Sequence, residues 1–265
     1  MSEYTERVLA GTSGYYYDDW RKVFYPPDLP NNEMLVFYAG HFNTVEINAT
    51  YYKIPSARTF QRMVENTPEH FRFIVKTHQE TTHRRLENKT ALDKLTKSVM
   101  PLISSGKFSG YLAQFPFSFK NSEQNRKYLI QTKQFLNDAP LFVEFRNASW
   151  LKEQLPDFLK QNQIGYVNVD EPHLAGLLPM QDIVTTGTGY IRMHGRNAAD
   201  WWQGKGSARY NYEYQENELN EWLTNISNIL RKTFKTYIFF NNHPNGQAVK
   251  NAKQMIELLK SKALL

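Results

Sequence analysis

A chain of 265 residues with a formal net charge of +6 and no cysteine can bury a sizeable core without covalent staples. The missing thiols exclude disulfides, thiolate zinc sites and cysteine nucleophiles and agree with a cytoplasmic setting, while the positive charge favours an anionic partner. Residues 1–7 are polar, unlike a signal peptide, and no apolar run approaches the roughly 20 residues of a membrane helix, so no membrane partner is expected.

Residues 8–12 read as a short apolar strand that runs into a long loop, 13–27, punctuated by glycine and proline. Helical spacing follows over 33–40, with Gly40 at its end. Residues 42–48 alternate: Val45 and Ile47 share one face, Thr44, Glu46 and Asn48 the other. Ser56 is an N-cap for a helix over 56–66. The third strand, 71–78, carries Lys76 and His78 on its polar face. A polar loop, 79–89, then leads to a helix over 90–104 that Pro101 must kink or end.

The fourth strand, 111–116, brings Gln114, and a helix spans 122–136. In the fifth, 141–146, Leu141, Val143 and Phe145 oppose Phe142, Glu144 and Arg146. A helix over 151–162 follows. In the sixth, 165–172, Tyr166, Asn168 and Asp170 are assigned to the polar face against Val167 and Val169, and no long helix comes after it. The seventh, 190–196, carries Arg192 and His194. Residues 197–214 then form an aromatic and basic insert with Trp201, Trp202, Lys205, Arg209 and Tyr210. A helix over 217–232, an eighth strand over 237–243 with Asn241 and Asn242, and a final helix from Gly246 to about Lys260 complete the order.

Eight alternations of strand and helix predict an α/β fold with an eight-stranded parallel sheet, closed as a single (β/α)8 TIM barrel over residues 1–265. A doubly wound open sheet fits less well, because its central strands would be near-continuous apolar runs. The polar residues recur at the last inward positions of successive strands: Glu46, Asn48, Lys76, His78, Gln114, Glu144, Arg146, Asp170, Arg192, His194, and Asn241 with Asn242 or His243. In a barrel these converge on the C-terminal mouth, where active sites of this fold sit. The bland alternative is a self-neutralising network of Glu46, Glu144 and Asp170 against Lys76, Arg146 and Arg192.

The sequence also resembles the family catalogued as domain of unknown function 72. The resemblance rests on Gly11-Thr12-Ser13-Gly14-Tyr15 with Trp20, on residues 42–48 with Tyr51-Tyr52, and on Gln114-Phe115-Pro116. It rests equally on Glu144-Phe145-Arg146 with Ser149-Trp150, on Arg192 with His194-Gly195, and on Phe240-Asn241-Asn242. It departs at Tyr15, where the family often carries Trp. The resemblance implies a single (β/α)8 barrel and no established activity.

Three long cations suit an anion, since an arginine fork binds phosphate or carboxylate bidentately. The residues therefore predict an enzyme acting on a small anionic, phosphate-bearing substrate, in its sharpest form a phosphoester hydrolase on a nucleotide or nucleic acid. Lys76, Arg146 and Arg192 would bind the anion with Gln114, Asn48, Asn241 and Asn242. Glu144, Glu46 or Asp170 would act as general base, and His194 as acid. Tyr15 and Trp20 in the first loop, and Trp201 and Arg209 in the insert, would flank the mouth as stacking and basic groups. A divalent metal stays open: three acids and two histidines could ligate one, but no His-x-x-x-His spacing supports it and three cations oppose it. Two alternatives use the same residues: a sugar or sugar-phosphate isomerase, epimerase or glycosidase, and a non-catalytic nucleic-acid-binding barrel.

Overall fold

The computed structural model describes residues 7–265. Its strands are β1 Val8–Ser13, β2 Thr44–Ile47, β3 Arg72–Lys76, β4 Phe108–Gln114, β5 Leu141–Glu144, β6 Ile164–Tyr166, β7 Asn168–Asp170, β8 Thr188–Met193 and β9 Lys235–Phe240. All pair in parallel, in one sheet of order β6-β5-β4-β3-β2-β1-β9-β8-β7. The helices are α1 Met34–Ala39, α2 Ala57–Glu65, α3 Asn88–Ser104, α4 Glu123–Phe135, α5 Leu155–Gln161, α6 Glu216–Leu230 and α7 Gln247–Ser261.

The sheet has nine strands rather than the eight expected, because the sixth is interrupted at Val167. Its first part, β6, pairs with β5, and its second part, β7, pairs with β8. One stretch of chain thus joins the two ends of the sheet and nearly closes the barrel. Side chains brace the seam. Thr185 Oγ1 accepts from the Tyr166 amide at 2.8 Å and donates to the Ile164 carbonyl at 2.7 Å. Asn168 donates to the Ile183 carbonyl and accepts from its amide, each at 2.9 Å.

Inside the barrel, Phe142, Tyr190, Tyr237 and Phe239 pack ring against ring. The ring of Phe142 comes so near the backbone of Gly165 that a Cβ there would lie 2.4 Å from it, so the seam needs a residue without a side chain. Apolar burial below and polar groups above follow from strand parity, since every strand points the same way and ends at the same mouth.

The helices follow the sequence pattern with small shifts. Ser122 caps α4 by accepting from the Asn125 amide, and Gln215 with Glu218 forms a capping box at α6. Pro101 sits in the last turn of α3, which runs on to Ser104. Within the stretch read as loop 79–89, residues Glu80–Arg84 form one π-helical turn. Among the described residues no helix is long and apolar enough to cross a membrane.

Candidate active site

At the mouth, alternating charges form a buried chain. Ser13 Oγ donates to Glu46 Oε1 at 2.7 Å, and Tyr190 donates its hydroxyl to Glu46 Oε2. Arg192 Nη2 reaches Glu46 Oε1 at 2.7 Å, and its Nη1 reaches Glu144 Oε2 at 2.5 Å. Glu144 Oε1 lies 2.6 Å from Arg146 Nε. Arg146 Nη1 then donates to Glu171 Oε2 at 3.0 Å, and the Leu178 amide donates to Glu171 Oε1 at 3.0 Å. All five charged residues are buried. The order is Glu46, Arg192, Glu144, Arg146, Glu171, with the sign alternating along it. Such pairing is what makes buried ions tolerable.

The electrostatics follow from this order. Burial alone would raise the Glu144 carboxyl, but Arg146, Arg192 and His194 outweigh it and hold the group well below the usual carboxylate range. Burial would lower Arg192, yet Glu144 and Glu46 raise it. At the end of the chain Glu171 has one arginine and the Leu178 amide against full burial, and burial lifts it to about 7. Burial and then Arg146 push His194 down to about 3. Its neutral ring accepts from Asn241 Nδ2 on Nδ1 at 3.1 Å, and its Nε2 lies 3.1 Å from Arg146 Nη2 and 3.2 Å from Glu144 Oε1.

Above this chain opens a cavity of about 690 Å³. Lys76, Arg146, Arg192 and Arg209 line it, with His83 and His243, the amides of Asn48, Gln114 and Asn241, and the rings of Tyr17, Tyr51, Tyr52, Phe117, Trp201, Trp202 and Tyr210. Among the described residues no carboxylate lines it. Lys76 donates from Nζ to Gln114 Oε1 at 3.0 Å. Arg146 lies 5.4 Å from the ring of Trp201, as a cation over an aromatic face. Tyr17 stacks on His243 at 4.5 Å. Segment 197–214 roofs this side. It turns at Gly195, whose φ of +89° places the missing Cβ 2.7 Å from Tyr212 Cβ, a conformation that suits glycine alone.

The residues expected at the mouth separate into three groups. Lys76, Arg146, Arg192, Gln114, Asn48, Asn241, Trp201 and Arg209 line the cavity. Glu46, Glu144 and His194 lie one layer beneath it, holding the arginines. The others lie elsewhere. Asp170 accepts from Tyr214, Trp222 and Arg196 on the outer side of the sheet. Asn242 donates to the Tyr212 carbonyl and Asn251 Oδ1. Tyr15 packs on Tyr38, and buried Trp20 donates to the His243 carbonyl at 2.7 Å. Trp20 supports the wall that Tyr17 presents, its ring 4.8 Å from that of Tyr17.

The Asp170 result is a parity correction. Val169 pairs with inward-facing Arg192, and Asp170 pairs with outward-facing Met193. In the sixth strand the valines therefore face inward, and the next residue to do so is Glu171, which the sequence reading did not single out. His83 was also missed. It lies in a polar stretch without periodicity, and the π-helical turn swings it to the cavity. Among the described residues no three His, Asp or Glu side chains gather to hold a metal ion. The guanidinium of Arg192 lies between Glu46 and Glu144, the place where a glycosidase pair would need its sugar ring.

The family model described as a protein of unknown function, DUF72, matches residues 9–264. This chain belongs to the DUF72 family. It is 34% identical to the UPF0759 protein YunF of Bacillus subtilis, over 95% of this chain and 94% of that protein. It superposes on the crystal structure of a DUF72 family protein from Thermotoga maritima with a TM-score of 0.89 and 40% identity, over 96% of this chain and 99% of the other. A DUF72 family protein from Enterococcus faecalis gives a TM-score of 0.85 at 28% identity, over 96% and 95%.

Proposed function

We propose that the mouth of this DUF72 barrel binds a small phosphate-bearing molecule with a flat portion, and that this molecule is a substrate. One observation carries the reading: among the described residues all the charge that lines the cavity is basic, while the carboxylates that balance it are buried behind. Arg146 and Arg192 are held rigid by Glu144, Glu46 and Glu171, so their remaining N–H groups are preorganised for an anion. Lys76 and Arg209 add charge from the sides. The tyrosine and tryptophan walls offer faces to a planar ring. A cavity of about 690 Å³ falls in the range that encloses a molecule of nucleotide size. The basic groups converge on one hollow rather than following a groove, which favours a small molecule over a nucleic-acid strand.

This reading reassigns the acids. A carboxylate fixed between two guanidiniums is a poor proton acceptor, so Glu144 serves as a positioning residue for the arginines rather than as a general base, and Glu46, engaged by Arg192, Ser13 and Tyr190, positions Arg192. Calorimetric titration with a panel of nucleoside monophosphates and sugar phosphates, each beside its dephosphorylated partner, tests the proposal. Binding should need the phosphate and weaken as salt is raised. Equal affinity for the dephosphorylated partners would overturn it.

A further inference from the structure

Three long cations line the floor of the cavity, and one is treated differently. Arg146 and Arg192 each contact two carboxylates. Lys76, among the described residues, forms no ion pair. Its Nζ has one acceptor, Gln114 Oε1 at 3.0 Å. Gln114 turns its own Nε2 onto the Phe115 carbonyl at 2.8 Å, which fixes the amide oxygen against the amine. The ring of Tyr51 lies 4.9 Å below Nζ, and His83 meets that ring edge-on at 5.1 Å. Asn48 Oδ1, buried and without a hydrogen-bond partner, belongs to the same cavity wall.

A buried lysine with two guanidiniums nearby and no carboxylate in contact is expensive to keep charged, although Glu144 and Glu46 act on it from a distance in the opposite sense. Burial and then Arg192 bring it down to about 8, which raises the proton-free fraction at neutral pH by roughly two orders of magnitude over an ordinary lysine. An amine that serves only to hold phosphate gains nothing from losing its charge. Amines placed among other cations are, however, the ones that attack carbonyl carbon.

We propose that Lys76 is a nucleophile that forms a Schiff base with a phosphate-bearing aldehyde or ketone, whose phosphate is held by Arg146, Arg192 and Arg209. This rests on the phosphate reading of the cavity and names the substrate class. The neutral amine attacks the carbonyl carbon, a C–N bond forms, and the carbonyl π electrons pass to oxygen, which takes up a proton. The nitrogen gives up a proton, the new hydroxyl takes up a second one, the C–O bond breaks as the nitrogen lone pair moves in, water leaves, and a protonated C=N bond remains. No oxidant, reductant or metal enters. His83, pushed down to about 4 by burial and then by Lys76, lines the same cavity as a neutral ring able to accept and return a proton. Asn48 Oδ1 offers an acceptor for a hydroxyl beside the carbonyl.

The test is reductive trapping of the full chain with glycolaldehyde phosphate, and separately with glycolaldehyde, in the presence of cyanoborohydride. Intact mass and peptide mapping are the readouts. The expected result is one adduct on Lys76, at least about tenfold above any surface lysine, suppressed by inorganic phosphate. It should be absent in Lys76→Arg, although phosphate still raises the melting temperature of that variant. Adducts spread over surface lysines, or an adduct unchanged in Lys76→Arg, would overturn the proposal even where phosphate still stabilises the protein. Trapping on Lys76 that phosphate neither promotes nor competes with would leave the amine's role standing and remove the phosphate reading beneath it. Should Lys76→Arg not fold, the adduct map of the natural chain decides alone.

Discussion

Arg192 reaches from one barrel strand to Glu144 on another and lies 2.5 Å from its carboxylate. The same guanidinium holds Glu46 at 2.7 Å. Arg192 therefore joins β2, β5 and β8 at the level where the apolar interior gives way to the cavity. Removing it strands two buried acids, one of which keeps Arg146.

Replacing Arg192 by Met should cost about 3–5 kcal/mol, the usual consequence of breaking a buried ion pair from one side. Urea denaturation at pH 7 measures this. The pH dependence should also change. In the natural chain Glu144 is depressed, so its contribution is complete above the ordinary carboxylate range and is lost as pH falls. In the variant Glu144 keeps one arginine against full burial, so its carboxyl should rise, and acidification toward pH 5 should stabilise the variant relative to the natural chain. A loss under about 1 kcal/mol, with an unchanged slope, would mean the network is dispensable.

Glu171 supplies a second pH signature. Burial raises it to about 7, above its unfolded value near 4.5. The folded protein therefore holds a proton that the unfolded chain releases. This contribution is complete below about pH 4.5 and disappears as pH rises through 7. Glu171→Gln removes the dependence. Stability of the variant minus that of the natural chain should increase between pH 5 and pH 8 by about 2–3 kcal/mol. A difference that stays flat over this range would show that Arg146 keeps Glu171 ionised throughout.

Much of this arrangement was legible in the sequence, for a physical reason. Strand parity is strict, so Glu46, Lys76, Gln114, Glu144 and Arg192 announced themselves at matching positions on parallel strands. Depth was not legible. Nothing in Glu144-Phe145-Arg146 tells that the acid lies beneath the cavity and the base at its surface, because that depends on partners from other strands. The sixth strand was misread because its polar residues were assumed to face inward. Asn168 and Asp170 instead find partners outside, on residues 183–196 and on Tyr214 and Trp222. Long-range pairing of this kind carries no local periodicity. His83 escaped for a related reason: a single π-helical turn repeats nothing that a period search can find.

Arg209 separates ligand binding from folding. It lines the cavity from the 197–214 segment, and among the described residues it forms no ion pair. Arg209→Ala should leave the melting temperature within a degree or two of the natural value, about the effect of a neutral surface change. Affinity for phosphate-bearing ligands should fall by about tenfold or more, the loss of one charge-assisted hydrogen bond. Titration of both proteins with the same nucleoside monophosphate measures this. Unaltered affinity would place the phosphate away from Arg209 and confine it to the floor arginines.

Asp170 provides the opposite case. Its carboxylate accepts from the Tyr214 hydroxyl at 2.7 Å, the Trp222 indole at 2.7 Å and Arg196 at 2.8 Å. Arg196 extends the network to Glu218 and Glu221. The cluster ties β7 to α6 and to the end of the 197–214 segment, on the side of the sheet away from the cavity. Replacing Asp170 by Asn removes the charge that Arg196 faces and turns one acceptor into a donor opposite Trp222 or Tyr214. A loss of about 2–4 kcal/mol in stability is expected. The folded variant should nevertheless bind phosphate-bearing ligands as the natural chain does and keep its trapping at Lys76. Calorimetry well below the variant's melting temperature makes the comparison on folded protein. If affinity or trapping fell while the fold persisted, Asp170 would act on the ligand through the 197–214 segment, and the residues that support the cavity would extend outward across the sheet.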